Sequence, residues 1–386
     1  MFNFKYQNTT KLIFGKDKIK ELSQEIPINS RILVLYGGGS IKKNGVYDSV
    51  KETLKDYTIF EFGGIEANPG YETLMKAVEI VKKEKIDFLL AVGGGSVLDG
   101  TKFVAIAPFS EGDPWDFLTG KASPQKALPI GSIMTLPATG SESNSGAVIT
   151  RYETKDKLFF ISNLVFPRFA ILEPEITYSL PQNQTINGIV DAFVHIMEQY
   201  LTFNVNSPVQ DGFSETLLKT LIDSAPKILK NPKDYDTRAN IMFSATLALN
   251  GLIGIGVPQD WTTHMIGHEI TARHGLDHAI TLAIILPAVM KIRRKQKREK
   301  LIQYAKNVWN IQENNEEKLI DLVIEKTENF FQSLGIKTYL SDYNIKENDI
   351  NEILKKLEEH GMTALGENKD ITIDISKEIL KTALSK

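Results

Sequence analysis

Five of the six histidines (His195, His264, His268, His274 and His278) fall between residues 195 and 278 of a 386-residue chain. Scattered surface histidines do not gather in this way. Asp191-Ala-Phe-Val-His195 sets a carboxylate and an imidazole four residues apart. On a helix, positions i and i+4 share a face, so both side chains can reach one ion. The flanking Ile189, Val190, Phe193, Val194 and Ile196 are apolar, which predicts a deeply packed helix. A buried Asp and His need partners, and the two satisfying each other is the alternative to a metal. The second segment runs from Trp261 to His278. His268-Glu269 starts like the zinc-protease pattern H-E-x-x-H, but Ala272 stands where its second histidine belongs. His264 and His268 can chelate from one helix face. His264 and His278 are about 21 Å apart along a straight helix, at roughly 1.5 Å per residue. They can share an ion only if the chain turns back, and Gly275 is a helix stop that permits it. One carboxylate with up to three imidazoles suits Zn²⁺ or Fe²⁺.

Two further loops share one design: a continuous apolar run, then Gly-Gly-Gly-Ser, then a helical pattern. They are Gly37–Ser40 after Arg31–Tyr36 and Gly93–Ser96 after Asp87–Val92. Such loops lie at the carboxyl ends of parallel strands, where open α/β sheets bind ligands. Bare backbone N–H groups and a helix N-terminus there favour a phosphate. A pair of tight turns is the plainer reading. The G-x-G-x-x-G fingerprint fits neither loop cleanly. Gly95–Lys102 has the spacing of a P-loop but ends Thr-Lys instead of Lys-Thr, so a nucleoside triphosphate site is the runner-up. A third polar loop, Pro137–Asn144, follows strand Ser132–Leu136. It carries hydroxyls and an amide suited to a ribose or a nicotinamide.

These residues need elements to position them. Arg31–Tyr36, Thr58–Phe62, Asp87–Val92, Ser132–Leu136 and Phe169–Leu172 read as strands. A helix to about Lys55 and another over Tyr71–Lys85 alternate with them, which predicts a mostly parallel sheet covered on both faces. From about Pro181 the apolar spacing is helical, through Ile186–Tyr200, Gly212–Leu229, Thr237–Leu252 and Thr262–Arg273, and the tail from Arg298 has a helical composition. We expect an α/β domain over 1–180 and an all-helical domain over 181–386.

Composition narrows the classes. Lys+Arg number 45 against 48 Asp+Glu, a formal charge of −3, which argues against nucleic acid as the main partner. Cysteine is absent, so disulfides, thiolate metal sites and Cys nucleophiles are excluded. The first residues carry no visible signal peptide. The longest apolar stretch, Leu282–Met290, is too short to span a membrane. The expectation is a soluble, cytoplasmic protein. Lys291–Lys300 holds seven basic residues in ten, read as a solvated helix face or, alternatively, a phosphate-seeking patch.

The combination resembles the iron-containing (group III) alcohol dehydrogenase family over essentially the whole chain. The carriers are Tyr36-GGGS-IKKNG, GGGSVLD at 93–99, LPATGSESN at 136–144, Asp191-x₃-His195, and WTTHMIGHEITARHGLDHA at 261–279. They look most like its NADPH-dependent aldehyde reductase and butanol dehydrogenase branch. The resemblance implies a dehydroquinate-synthase-like fold: a Rossmann-like N-terminal domain, an all-α C-terminal domain and an active site in the cleft between them. It implies metal ligands Asp191, His195, His264 and His278, leaving His268 as a proton-relay residue near the substrate. It implies a homodimer formed through the N-terminal strand. The candidate cofactor contacts are Gly37, Gly38, Gly39, Ser40, Gly94, Gly95, Ser96, Asp99, Thr135, Thr139 and Asn144. The resemblance adds Lys157, whose alternative is an exposed surface lysine. The expected activity is hydride transfer between NADP(H) and a small aliphatic aldehyde or primary alcohol, with Zn²⁺ or Fe²⁺.

Charge bears on the cofactor. An acid at the adenosine ribose repels a 2′-phosphate. The first loop carries none, and Ser40, Lys42 and Lys43 can hold that phosphate. Glu61, at the end of the second strand, is the objection and favours NAD(H). One rival is a metal-dependent lyase, cyclase or polyol dehydrogenase on the same fold. A lyase of that kind needs basic residues for a phosphorylated polyol, and the His264–His278 segment offers Thr, Met, Ile and Ala. Another is a non-catalytic nucleotide sensor, which should have lost a ligand position.

Overall fold

A computed structural model describes all 386 residues. Eight strands form: β1 (Lys11–Phe14), β2 (Arg31–Tyr36), β3 (Thr58–Phe62), β4 (Phe88–Gly94), β5 (Ile130–Leu136), β6 (Gly146–Arg151), β7 (Asp156–Ile161) and β8 (Phe169–Leu172). Six of them make one parallel sheet in the order β1-β8-β5-β4-β2-β3. β6 and β7 form a separate antiparallel hairpin.

The apolar runs of β2 and β4 feed two cores at once, because successive strand residues point to opposite faces. Leu33, Leu35, Leu89 and Ala91 pack with Leu74 and Val78 of helix Tyr71–Lys83 and with Phe103 of helix Gly95–Ile106. Ile32, Val34, Phe88, Leu90 and Val92 pack on the other face with Val46 and Val50. The glycine loops follow from this arrangement, since both buried strands end at the same edge of the sheet. The helix expected to run to Lys55 is broken. It forms over Ser40–Lys43, stops at Asn44-Gly45, where Gly45 has φ 83°, and resumes over Val46–Thr53. The apolar pattern marked neither β1, where an N-terminal strand was expected only through the family resemblance, nor the β6–β7 hairpin; β1 is four residues at the sheet's end, with little buried surface to mark it.

The chain divides into two compact units. One comprises residues 7–185 and 231–250; the other comprises 1–6, 186–230 and 251–386. The single expected boundary near 180 and this division differ in two short segments. Residues 1–6 join the helical unit, where the Phe2 N–H reaches Gly256 O at 2.8 Å. Residues 231–250 join the sheet unit, where Met242 enters the core and Thr246 Oγ1 donates to Glu142 at 2.5 Å.

The second unit is helical. Its principal helices are Gln182–Tyr200, Pro208–Lys230, Thr262–His274, His278–Ile292, Arg298–Asn307, Glu316–Ser333, Glu347–Glu359 and Ile373–Thr382. Ile266, Ile270, Ile284, Ile285, Val289, Ile353, Leu357 and Ile379 make one of its apolar clusters. No helix is long and apolar enough to cross a membrane. The basic run is neither a bare solvated face nor a phosphate patch, because six of its seven cations, all but Lys295, pair with acids of the same unit. Lys297 bonds Asp260 and Glu367, Arg293 bonds Asp370, Arg294 and Arg298 bond Glu317, and Lys300 bonds Asp211.

Candidate active site

Asp191 and His195 sit one turn apart on the buried face of helix Gln182–Tyr200, each 4% exposed. Asp191 Oδ1 is the hub of the site. It lies 3.6 Å from His195 Nδ1, 3.7 Å from His264 Nε2 and 4.0 Å from His278 Nε2. One donor atom from each of Asp191, His195 and His264 falls within 4.8 Å of the others, and His278 stands just outside that group. Donors around a tetrahedral Zn²⁺ with bonds of about 2.0–2.2 Å lie roughly 3.3–3.6 Å apart. Asp191, His195 and His264 therefore stand near ligand spacing, and His278 is the one that must move in to complete a set of four. The rings of His195 and His264 stack at 4.5 Å, and Trp261 stands edge-on to both.

His264 has a dedicated partner that the sequence reading missed. Its Nδ1 hydrogen-bonds Glu198 Oε2, and its backbone N–H donates to Glu198 Oε1 at 3.2 Å. Glu198 follows Asp191 by seven residues and His195 by three on the same helix, so the stripe 191–195–198 was the available signal. A carboxylate on Nδ1 fixes the proton there and leaves Nε2 as the lone-pair nitrogen. Nε2 is buried and makes no hydrogen bond. Burial pulls the His264 imidazolium down, but the charges of Glu198 and Asp191 outweigh it and push it up to about 9. A site whose negative potential holds a proton on a buried imidazole attracts a divalent cation for the same reason. The donor set and the charge both fit a metal.

The return of His278 depends on a tight turn. Helix Thr262–His274 ends at Gly275, with φ 69° and its N–H on Thr271 O at 2.9 Å. The next helix starts at His278, and Asp277 before it accepts from Asn187 Nδ2 at 2.9 Å. The two helices pack closely at Gly267, where a Cβ would lie 2.9 Å from Thr281 Oγ1 and 3.3 Å from Leu282. His268 is buried one turn after His264. Its ring lies 5.0 Å from that of His278 and 6.1 Å from that of His264.

The sheet unit carries the three polar loops. In the first, Gly38 and Gly39 have no atom within 4 Å of where a Cβ would sit. Their backbone faces open space, and Gly39 has φ 87°. That is the cradle an anion needs. The second loop is crowded: a Cβ on Gly95 would meet Thr139 at 2.5 Å, and one on Gly93 would meet Val97 at 2.5 Å. These glycines bring the start of helix Gly95–Ile106, with Ser96, against the third loop. Asp99 joins the two, accepting from Ser141 Oγ at 2.6 Å and from Val148 N at 2.9 Å.

Lys102, also missed, is fully buried and donates to Ser141 Oγ, Asn144 Oδ1 and Gly146 O at 2.7–2.8 Å. It clamps the third loop, which removes the P-loop reading, since that motif's lysine must face a phosphate. The Asn144 amide is spent within the protein, on Lys102, Gly146 N–H and Leu249 O. Thr135 is half-buried near the end of β5. Lys157 on β7 is 5% exposed, not a surface lysine, and donates to Asn68 Oδ1 at 2.9 Å. Lys42 is engaged as well: its Nζ lies 2.8 Å from Glu61 Oε2.

Comparison with known proteins matches the chain in two consecutive stretches. Residues 9–174 match the iron-containing alcohol dehydrogenase family, and residues 185–384 match the C-terminal region of the Fe-containing alcohol dehydrogenase family. The chain belongs to the iron-containing alcohol dehydrogenases. As a member it is an oxidoreductase of the alcohol dehydrogenase and aldehyde reductase class. It is 57% identical over 386 residues to the NADPH-dependent aldehyde reductase YqhD of Escherichia coli K12, covering 99% of this chain and 100% of that one. The crystal structure of E. coli K-12 YqhD superposes with a TM-score of 0.98, at 56% identity and 99% coverage of each chain. The probable NADH-dependent butanol dehydrogenase 1 of Bacillus subtilis is 42% identical, with 100% of both chains covered. The NADH-dependent butanol dehydrogenase A of Thermotoga maritima superposes with a TM-score of 0.95 at 36% identity, covering 100% of this chain and 99% of that one. The family fold accounts for the architecture, a Rossmann-like parallel sheet followed by a helix-rich region. Glu198, Lys102 and Asn68 are the residues that motif reading passed over, since each contacts a neighbouring candidate and carries no motif of its own.

Proposed function

We propose that this protein is a metal-dependent, NADP(H)-linked reductase of small aliphatic aldehydes such as butanal, and a dehydrogenase of the matching primary alcohols. The observation that carries the reading is the spacing of three imidazole nitrogens, 3.6–4.0 Å from the single oxygen Asp191 Oδ1. Asp191, His195, His264 and His278 would hold one divalent cation, Zn²⁺ or Fe²⁺. When bound, the cation polarises a carbonyl oxygen and the nicotinamide supplies the hydride. The chain does the rest. Glu198 keeps the proton of His264 on Nδ1, so that Nε2 stays a ligand. Trp261 sets an indole beside the histidines. His268 takes the role of proton donor in reduction and acceptor in oxidation. Gly38, Gly39, Gly95 and Ser96 offer backbone to the cofactor phosphates, and Asp99, Thr139 and Lys157 shape the ground beside them. The NADPH dependence of the relative at 57% identity supports NADP(H) over NAD(H). A homodimer is part of the same reading, since β1 ends the sheet and has an edge for a second copy. So is a cytoplasmic location, in keeping with a chain that has no cysteine to oxidise.

The test is turnover of butanal with NADPH and with NADH, before and after chelation and after Zn²⁺ or Fe²⁺ add-back. Chelator-sensitive reduction that prefers NADPH is expected, and add-back identifies the productive ion. Absence of oxidation of either cofactor with any metal would turn the reading toward a lyase or a nucleotide sensor, with sugar phosphates tested next.

A further inference from the structure

Lys42 and Glu61 meet at the mouth of the first glycine loop. Glu61 lies on β3, paired in register with Val34 of β2, whose end opens into Gly37–Ser40. It follows that loop by about twenty residues. In doubly wound sheets an acid at this spacing accepts the ribose 2′-hydroxyl of NAD(H) and turns away the 2′-phosphate of NADP(H). On sequence alone Glu61 therefore argues for NAD(H).

The geometry removes that argument, because both carboxylate oxygens are taken. Oε1 accepts from the Tyr47 hydroxyl. Oε2 accepts from Lys42 Nζ at 2.8 Å and from the Tyr36 hydroxyl at 3.2 Å. The Lys42 ammonium is seated between two rings, 5.0 Å from the centroid of Tyr36 and 4.7 Å from that of Tyr47. Its hydrogen bond to Glu61 Oε2 points the ammonium at the carboxylate. Burial works against the Glu61 carboxylate, but Lys42 and Tyr47 more than offset it and hold the group ionised. The pair is thus a neutral unit at the position where a bare charge would choose the cofactor.

We propose that Lys42 is a specificity-determining residue: by cancelling Glu61 it lets the first glycine loop accept a 2′-phosphate that a bare Glu61 would repel. The proposal rests on the reading of that loop as the nucleotide site. Lys42 and Glu61 are 44% and 37% exposed, so substituting them leaves the fold intact, as circular dichroism would verify.

The experiment is calorimetric titration of the full-length protein with NADPH and with NADH, which needs no turnover. Four forms are compared: wild type, Lys42→Met, Glu61→Gln and the double variant. Lys42→Met should weaken NADPH about tenfold, the order of effect of a like-charge contact in partly screened surroundings, and leave NADH unchanged or tighter. Adding Glu61→Gln to Lys42→Met should bring NADPH back to within about threefold of wild type. A double variant as weak as Lys42→Met would overturn the proposal, because Lys42 would then be touching the phosphate itself. An unchanged NADPH-to-NADH ratio in Lys42→Met would overturn it too. Wild-type protein that binds neither nucleotide would overturn the cofactor reading beneath it.

Discussion

Glu198 holds His264 twice, through Nδ1 of the ring and through the backbone N–H at 3.2 Å. Both contacts come from a side chain on the helix that carries Asp191 and His195, so one helix supplies two candidate ligands and orients a third. A hydrogen-bonded carboxylate of this kind typically accounts for 10–100-fold in metal affinity. Glu198→Gln is therefore expected to weaken Zn²⁺ or Fe²⁺ binding by about that factor. Activity should return at high metal concentration. Metal titration of chelator-treated protein measures this, and an unchanged affinity would mean that Glu198 has a purely structural role.

Gly267 makes a sharper geometric prediction. A methyl there would stand 2.9 Å from Thr281 Oγ1 and 3.3 Å from Leu282, and Thr281 Oγ1 already donates to His278 O at 2.8 Å. Gly267→Ala should push apart the two helices that bring His264 and His278 together. Overpacking of this kind costs about 1–3 kcal/mol. The melting temperature should drop, and retained metal should drop with it. Loss of stability with full metal content would show that the helices yield elsewhere.

Much of this was legible before any coordinates. The strands β2, β4, β5 and β8 announce themselves through apolar runs, because a strand buried on both faces has no polar side to show, and β3, at the sheet's edge, through its β-branched and aromatic residues. Asp191, His195 and His264 were legible as candidates through residue type and spacing, and Gly275 through its place between two helical patterns, whereas the choice of His278 over His268 came only with the family resemblance. What escaped detection follows a physical pattern. β1 is four residues with one buried side chain. Glu198 and Lys102 work on other side chains, so their importance lies in contacts far along the chain; Lys102 to Gly146 spans 44 residues. The basic run at Lys291–Lys300 could be counted in the sequence, but its acidic partners, at Asp211, Asp260, Glu317, Glu367 and Asp370, could not be matched to it without the fold.

Lys102 gives a pH dependence of stability. Burial pulls its ammonium down to about 8, with the charges of Asp99 and Glu142 working the other way. In the unfolded chain it titrates near the ordinary value of about 10.4. Between these values the unfolded state binds more protons, so the contribution of this group to stability rises with pH from about 8 to about 10.4. Below 8 the cost of the buried charge is at its full value, on the order of 3 kcal/mol. Denaturant unfolding at pH 7.5 and pH 9.5 should show this rise, and Lys102→Met should flatten it. The same variant releases the loop at Ser141, Asn144 and Gly146, so it should also weaken NADPH binding. A slope identical in wild type and variant would assign the pH effect to another group.

Lys297 is the one cation of the basic run buried together with its acids. Its side chain is 2% exposed, those of Asp260 and Glu367 are 4% exposed, and it also donates to Leu201 O at 2.7 Å. Asp260 in turn accepts the Thr262 N–H at 2.9 Å at the start of the helix that carries His264 and His268, and its own N–H reaches Glu198 O at 2.8 Å. Lys297→Met would leave two carboxylates buried without their cation. Breaking a buried pair in this way costs about 3–5 kcal/mol, more than most single substitutions. The urea midpoint should fall sharply, and the loosened helix start should release metal below the unfolding transition. Arg298→Met is the internal control. Its partners Glu316 and Glu317 are 54% and 60% exposed, so the same loss of charge from the same run should barely move the midpoint. Equal shifts in the two variants would mean that the run stabilises through its overall charge and not through the buried contact at Asp260.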